Sequence, residues 1–222
     1  MHFTRESLGQ LDKRYRTQLI NSLSGFKSAN LIGTSDKTGQ TNLAIVSSVF
    51  HLGANPPLMG LIFRPHSVPR HSLQNILETG IFTINQVSEK IYRQAHQSSA
   101  KYTQEQSEFN EVGLEAAYLA DFKAPFVAES SVKIGLSLVE NQTLAVNNTE
   151  LVIGEIKHIF VPENAIKADG YLDIEGLETV ALSGLDSYHV THRMERLSYA
   201  KPNQTLSQLT INGEFSRIHK VG

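Results

Sequence analysis

The chain contains no cysteine among its 222 residues. This absence excludes disulfide bonds, zinc sites with cysteine ligands, iron–sulfur clusters and redox chemistry based on thiols. If the protein catalyses a redox reaction, a bound organic cofactor has to carry the electrons.

Long apolar runs and an excess of basic residues are also missing. No run approaches the roughly 18–20 apolar residues that span a bilayer, and residues 1–7 lack the apolar core of a secretory signal. The net charge of -2 does not show the basic excess that is typical of nucleic-acid-binding proteins. We therefore expect a cytoplasmic protein that binds neither membranes nor nucleic acid.

Short strands separated by turn residues dominate the pattern of the chain. The predicted strands cover residues 27–35, 41–50, 58–63, 81–85, 126–139 and 150–161. Helical spacing is confined to three segments, at about residues 11–24, 70–78 and 87–98. Because turns join consecutive strands and helices are few, the pattern predicts a mainly β fold, an antiparallel β-barrel with helices.

The whole chain is predicted to form a single domain over residues 1–222. Hydrophobic residues make up 40% of the chain and charged residues 19%, which is typical of an ordinary globular protein. Domains rich in β-structure commonly reach this length. The domain is expected to include an N-terminal helix at about 11–24 and a polar C-terminal tail at about 203–222.

Small polar side chains stand near both ends of the second predicted strand. Asn42 lies at its start, and Ser47 and Ser48 lie towards its end. Adjacent strand residues face opposite sides, so at most one serine side chain can point to a ligand, while the other could contribute its backbone. Polar residues at such positions often simply face solvent, so these three alone do not define a site.

A basic and polar cluster follows the next predicted strand. Arg64 comes directly after that strand, and Arg70, His71 and Ser72 stand where a helix is predicted to begin, with Asn75 one turn beyond His71. A guanidinium binds phosphate oxygens in a planar, bidentate way. A helix N-terminus adds unpaired N–H groups and the positive end of the helix dipole. Together they predict a monophosphate site, although Arg64 alone would be interpreted as a strand-end arginine in water.

The nine histidines do not predict a metal site. The closest pairs are His66 with His71 and His189 with His192, and neither pair has a convincing set of carboxylates around it. Solvated histidines are the simpler interpretation of both pairs. We therefore expect no bound metal ion.

No residue is assigned a catalytic role from the sequence. The chain has no glycine-rich dinucleotide fingerprint and no Walker loop, so a nicotinamide donor would have to stack transiently on another cofactor. Tyr188, His189 and Tyr199 could cap a pocket, or they could simply pack the C-terminal region onto the barrel. The sequence does not separate these two interpretations.

Several segments of the chain resemble the flavin reductase-like, FMN-binding split-barrel family, and they occur in the family's order. The segments are residues 42–48, 55–57, 71–76, 83–85, 107–114, 124–130 and 154–156. The resemblance covers about residues 19–202. One departure is His71-Ser72, where the family frequently has Asp or His followed by Thr. Serine keeps the hydroxyl group, so phosphate binding is still expected.

The resemblance implies FMN as the cofactor and a homodimer with its FMN sites near the subunit interface. The flavin ring would lie against the strand that matches Thr41–Ser48, and the phosphate would lie near Arg64 and Arg70–Ser72. Asn85 is similar to residues that line the pocket. The implied cofactor-binding residues are Asn42, Ala44, Ile45, Val46, Ser47, Ser48, Arg64, Arg70, His71, Ser72, Asn75 and Asn85.

The resulting hypothesis is an FMN-dependent oxidoreductase of flavin reductase type. It would pass hydride from NADH or NADPH to flavin, or through bound FMN to another small-molecule acceptor. The alternatives are an FMN-binding electron carrier without turnover and a module that binds flavin or has lost it. The sequence does not distinguish among them.

Overall fold

The computed structural model describes residues 1–65 and 70–216. The helices are Arg5–Gln10 (α1), Lys13–Ser22 (α2), His71–Thr79 (α3), Tyr92–Gln97 (α4) and Glu108–Val112 (α5). The strands are Lys27–Ser28 (β1), Asn30–Ser35 (β2), Thr41–Val46 (β3), Phe50–Ala54 (β4), Pro57–Phe63 (β5), Ile81–Gln86 (β6), Ala116–Ala117 (β7), Phe126–Val127 (β8), Lys133–Leu144 (β9), Thr149–Phe160 (β10), Ala181–Ser183 (β11), Ser187–His189 (β12), Arg196–Leu197 (β13) and Gln208–Leu209 (β14). Residues Glu163–Ala165 form a 3₁₀ turn.

A seven-stranded antiparallel sheet forms the centre of the molecule, in the order β3-β2-β6-β9-β10-β5-β4. Its two end strands, β3 and β4, are consecutive in the chain and are joined only by residues 47–49. Three residues cannot cross the width of a flat seven-stranded sheet, so the sheet has to curl until its two ends meet. The predicted antiparallel β-barrel is therefore confirmed.

The closure of the barrel is fixed by Ser48. Its hydroxyl donates to the carbonyl oxygen of Ile62 over 2.8 Å and accepts from the Ile62 N–H over 3.2 Å. The side chain thus bonds to β5 just before β4 begins, since Phe50 at the start of β4 pairs with Gly60. The prediction of one strand over residues 41–50 was wrong at its end, because the chain leaves β3 at Val46 and begins β4 at Phe50.

Two apolar clusters lie on the two faces of the sheet. Adjacent residues of β2 belong to different clusters, since Leu31 packs into the outer one and Ile32 into the inner one. The outer cluster is covered by α4 and α5 and includes Leu43. The inner cluster fills the barrel and includes Phe82. This alternation is what a sheet with two buried faces requires.

Helix α3 fills one end of the barrel. Leu73 and Ile76, three residues apart, are fully buried in the inner cluster. The helix ends at Gly80, whose φ of 74° is readily adopted only by glycine. The predicted helix is confirmed, while Pro69, which directly precedes Arg70 in the sequence, lies outside the described residues.

Other boundaries differ from the sequence prediction. The N-terminal helix is α2, and α1 precedes it with Thr4 as its capping residue. The helix predicted over residues 87–98 is limited to α4. In the C-terminal tail, β14 pairs with β13, and residues 217–222 lie outside the described part. Among the described helices, none has both the length and the apolar character needed to cross a membrane.

Candidate functional site

Polar side chains from three elements meet at the N-terminal end of α3. The Asn42 amide on β3 donates to the Ser72 hydroxyl over 2.6 Å. The Asn75 amide, one turn along α3, donates to the Thr34 hydroxyl on β2 over 3.1 Å. All four residues are buried, and Thr34 lies directly opposite Asn42 in the sheet. Because both pairs are hydrogen-bonded, this polar corner of the barrel is stable and its groups are fixed in place.

Arg70 precedes the first turn of α3, and both its side chain and the N–H groups of that turn contain donors without partners in the described residues. No side chain of the described residues caps this end of the helix, so N–H groups of the first turn remain available to an anion. The Nε atom of Arg70 is buried and has no hydrogen-bond partner within residues 1–65 and 70–216. A buried guanidinium nitrogen without a partner is unfavourable, and a bound phosphate oxygen would supply the missing acceptor.

A shallow polar cleft lies beside this corner. It encloses about 250 Å³ of space that is open to solvent. Its walls include His71 and Asn75 of α3 and Thr41 and Asn42 of β3. His71 and Asn75 lie on the same side of α3, as their spacing predicts. We call Asn42, Arg70, His71, Ser72 and Asn75 the helix-end site.

The outward edge of β3 forms a second feature that could bind a ligand. β3 is an end strand of the sheet, so every second residue directs its N–H and C=O away from β2. The Leu43 N–H is one of these groups, because it donates over 2.9 Å to Glu108 Oε2 of α5. Ile45, two residues further along an unbroken register, directs its backbone groups to the same side. No partner for the Ile45 N–H is found in the described ranges.

Glu108 is the site residue that sequence reasoning missed. Its carboxylate is 7% exposed, and burial raises its pKa. The neighbouring Ser107 hydroxyl lies 2.6 Å from the Thr41 hydroxyl, so the start of α5 is attached to β3 at two points on either side of Asn42. The segment 107–114 carries part of the family resemblance, but it contains no pattern that marks the Glu108 carboxylate as part of a site.

The two serines after β3 have different surroundings. Both hydrogen-bonding functions of the Ser48 hydroxyl are taken by Ile62, so this side chain closes the barrel. In contrast, the Ser47 hydroxyl has no hydrogen-bond partner among the residues the structure describes. Arg64 follows β5 and is exposed, so its side chain lies in solvent, and no contact brings it to the helix-end site within the described residues.

Of the remaining predicted residues, Ala44 and Val46 are half-buried and Asn85 is fully buried. Ala44 and Val46 direct their side chains into the barrel, as the alternation along β3 requires. Asn85 is fully buried, and its amide donates to the Leu31 carbonyl and the Thr83 hydroxyl and accepts from the Val127 N–H. All of these bonds are internal, so the Asn85 side chain has a structural role and is not brought to the helix-end site.

Comparison with known proteins gives the fold and its family. A model of the family described as the flavin reductase like domain matches residues 23–176. The structure of a proposed flavin reductase with a split barrel domain from Shewanella frigidimarina NCIMB 400 is similar, with a TM-score of 0.87 and 56% identity, covering 90% of this chain and 100% of that chain.

Two further proteins are more distant. The 2-nitrobenzoate 2-nitroreductase of Pseudomonas fluorescens has a TM-score of 0.77 at 20% identity, with 92% of this chain and 99% of that chain covered. That likeness concerns the fold alone. An uncharacterized protein of Deinococcus radiodurans is 26% identical over 213 residues, which are 90% of this chain and 93% of that protein. The predicted split-barrel fold is confirmed, and the chain belongs to the flavin reductase-like domain family.

Proposed function

We propose that the protein is an FMN-dependent oxidoreductase of flavin reductase type. It would pass hydride from NADH or NADPH to flavin, or through bound FMN to another small-molecule acceptor. The observation that carries the proposal is the helix-end site, where a buried guanidinium nitrogen stands beside the N-terminus of α3, and neither has a hydrogen-bonding side-chain partner among residues 1–65 and 70–216. Membership of the flavin reductase-like domain family supports it.

The residues of the helix-end site fit a phosphate monoester. Arg70 would pair with the phosphate through its charge, and the first-turn N–H groups of α3 would donate to phosphate oxygens. Ser72, held by Asn42, would present its hydroxyl at a fixed position. His71 lines the adjoining cleft and adds a donor. The exposed Arg64 would approach from the end of β5.

The outward edge of β3 fits the edge of a flavin ring. The Ile45 N–H, which has no partner in the described ranges, could donate to a ring carbonyl oxygen, and the adjacent C=O groups could accept from the ring N3–H. The Leu43 N–H already donates to Glu108, so a flavin ring would have to form its hydrogen bonds with residues further along β3. Bound flavin would supply the redox chemistry by accepting hydride at N5 and passing electrons to the acceptor.

This arrangement assigns binding and orientation to the protein, with no obligatory acid or base. We further propose a cytoplasmic homodimer. Exposed apolar side chains on the end strand β4 support self-association, since Phe50 is 39% and Leu52 46% exposed.

The decisive measurement is an absorbance spectrum of purified protein supplied with FMN, recorded before and after NADH under argon. A visible flavin band that NADH bleaches, together with steady-state NADH oxidation when free flavin is added, is expected. A bound flavin that is reduced without turnover would instead indicate an electron carrier. A protein that retains no flavin after gel filtration would contradict the proposal.

A further inference from the structure

An aromatic cluster with one arginine lies on the flank of β3, outside the helix-end site. It consists of Tyr92, Arg93 and His96 of α4 and Tyr188 of β12. Tyr92 and Tyr188 pack against the same buried cluster as Ile45. Helix α4 also lies beside β3. The cluster therefore lies next to β3, against the same apolar cluster that the Ile45 side chain contacts.

The rings are held in a defined arrangement. The ring centroids of Tyr92 and Tyr188 are 5.5 Å apart at 52°, and those of His96 and Tyr188 are 5.7 Å apart at 82°. The Tyr188 hydroxyl lies 3.0 Å from His96 Nδ1. Burial raises the pKa of the Tyr188 hydroxyl to about 12, so the hydroxyl keeps its proton at neutral pH, and its contact with Nδ1 fixes the two side chains relative to each other. His96 is exposed, so its ring is also accessible to a ligand.

The charge of Arg93 is not neutralised by the described residues. Its Nε donates to the Tyr92 hydroxyl over 3.0 Å and its Cζ lies 5.6 Å from the Tyr92 ring centroid, but it forms no ion pair within residues 1–65 and 70–216. Lys90, three positions earlier, pairs with Glu178 over 2.8 Å. Arg93 is therefore the cation of this surface that can still bind an anion.

We infer that this aromatic cluster binds the second, phosphate-bearing aromatic nucleotide of the reaction, with its phosphate on Arg93 and a ring against the tyrosines. The inference rests on the proposed function, because that nucleotide is either the nicotinamide hydride donor or a free flavin acceptor. Both have a flat ring and a phosphate, which are the groups that tyrosine faces and a guanidinium recognise.

The test compares Arg93→Ala with the control Lys90→Ala, which removes a neighbouring cation that already has a partner. In Arg93→Ala, we expect KM to rise about tenfold or more for either NADH or free FAD, the loss of one charge-assisted contact. A rise for NADH alone identifies the donor, and a rise for FAD alone identifies the acceptor. The affinity for bound FMN and the melting temperature should match those of the control.

A second variant distinguishes an effect on nucleotide binding at the aromatic cluster from an effect on folding. Tyr188→Phe keeps the ring and removes the hydroxyl that fixes His96, and we expect the same KM to rise about threefold. Calorimetric titration with NADH or FAD gives a readout that does not depend on turnover. Equal KM and Kd values in Arg93→Ala and Lys90→Ala for both nucleotides would overturn the inference. A wild-type protein that binds no FMN would instead contradict the proposed function, and the titration would still test the cluster.

Discussion

The two end strands of the sheet are neighbours in sequence, yet their free edges differ. The outward edge of β3 is covered by α5, and a buried carboxylate takes the Leu43 N–H. Most residues of β4 are exposed, including Phe50 and Leu52. A covered edge, where only selected backbone groups remain unpaired, can select one small molecule. An exposed apolar edge is suited to a second protein chain, which can extend the sheet or cover its side chains.

The largest effect is expected on FMN binding, when the Arg70 guanidinium at the start of α3 is removed. Arg70→Ala should raise the Kd for FMN by about 10–100-fold, because a charged hydrogen-bonding partner of the phosphate is lost. Flavin fluorescence titration measures this change. Arg64→Ala should have a smaller effect, since that guanidinium is exposed.

Lys37→Ala is the matched control for Arg70→Ala, because Lys37 is an exposed cation in the turn between β2 and β3. Its Kd should stay within about twofold of the wild-type value, as surface charges usually contribute little. If Arg70→Ala binds FMN as tightly as this control, the phosphate does not lie at the helix-end site.

The next effect concerns the carboxylate that covers the edge of β3. Glu108→Ala should lower the free energy of unfolding by about 1–3 kcal/mol, because the buried Leu43 N–H loses its acceptor. Glu108→Gln keeps an acceptor oxygen and should recover most of that loss. Urea denaturation of the three proteins measures the differences. Equal stabilities for the alanine variant and the wild type would show that the covering bond is dispensable.

A change on the exposed strand β4 should alter the oligomeric state of the protein. Leu52→Lys should weaken the proposed homodimer by about tenfold or more, because a charge would replace a side chain that association buries. Val146→Lys is the control, since Val146 is also apolar and is 89% exposed in the turn after β9. Light scattering during gel filtration over a range of concentrations reports the mass. A Leu52→Lys protein that dissociates no more than the control would place the interface elsewhere.

The smallest effect is expected in the pH dependence of stability, through the Glu108 carboxylate that covers the edge of β3. Burial raises the folded-state pKa of Glu108 above its ordinary value of 4.5. The folded protein therefore binds the proton more tightly, so this contribution to stability is complete below pH 4.5 and decreases as the pH rises through the raised pKa. The melting temperature of the wild type relative to Glu108→Gln should thus fall from pH 4 towards neutrality. An increase over that range would contradict the assignment.

The sequence predicts those parts of the site that depend on local pattern. The start of α3, its end at Gly80 and the polar residues of its first turn follow from helix-end chemistry. The hydrogen bond between Asn42 and Ser72 joins residues that are 30 positions apart, so only the folded barrel brings them together. Glu108 is a further 36 positions along from Ser72, in a short helix with no distinctive pattern.

Two differences have specific physical reasons. The strand predicted over residues 58–63 begins one residue earlier, at Pro57, where the chain turns from β4 into β5. This is possible because a turn does not need the N–H groups that Pro56 and Pro57 lack. Asn85 has the alternation typical of a half-buried strand, whereas both faces of β6 are covered and its amide is bonded internally. Periodicity does not show whether the second face of a strand is covered by other elements.

The bond between Ser48 and Ile62 has a consequence for redesign of the chain. Surface connections usually accept new termini or inserted peptides, but the connection at residues 47–49 holds the two ends of the sheet together. A circular permutant opened there would separate β3 from β4 and should fail to fold. A permutant opened in the exposed turn at residues 145–148 would leave that contact intact.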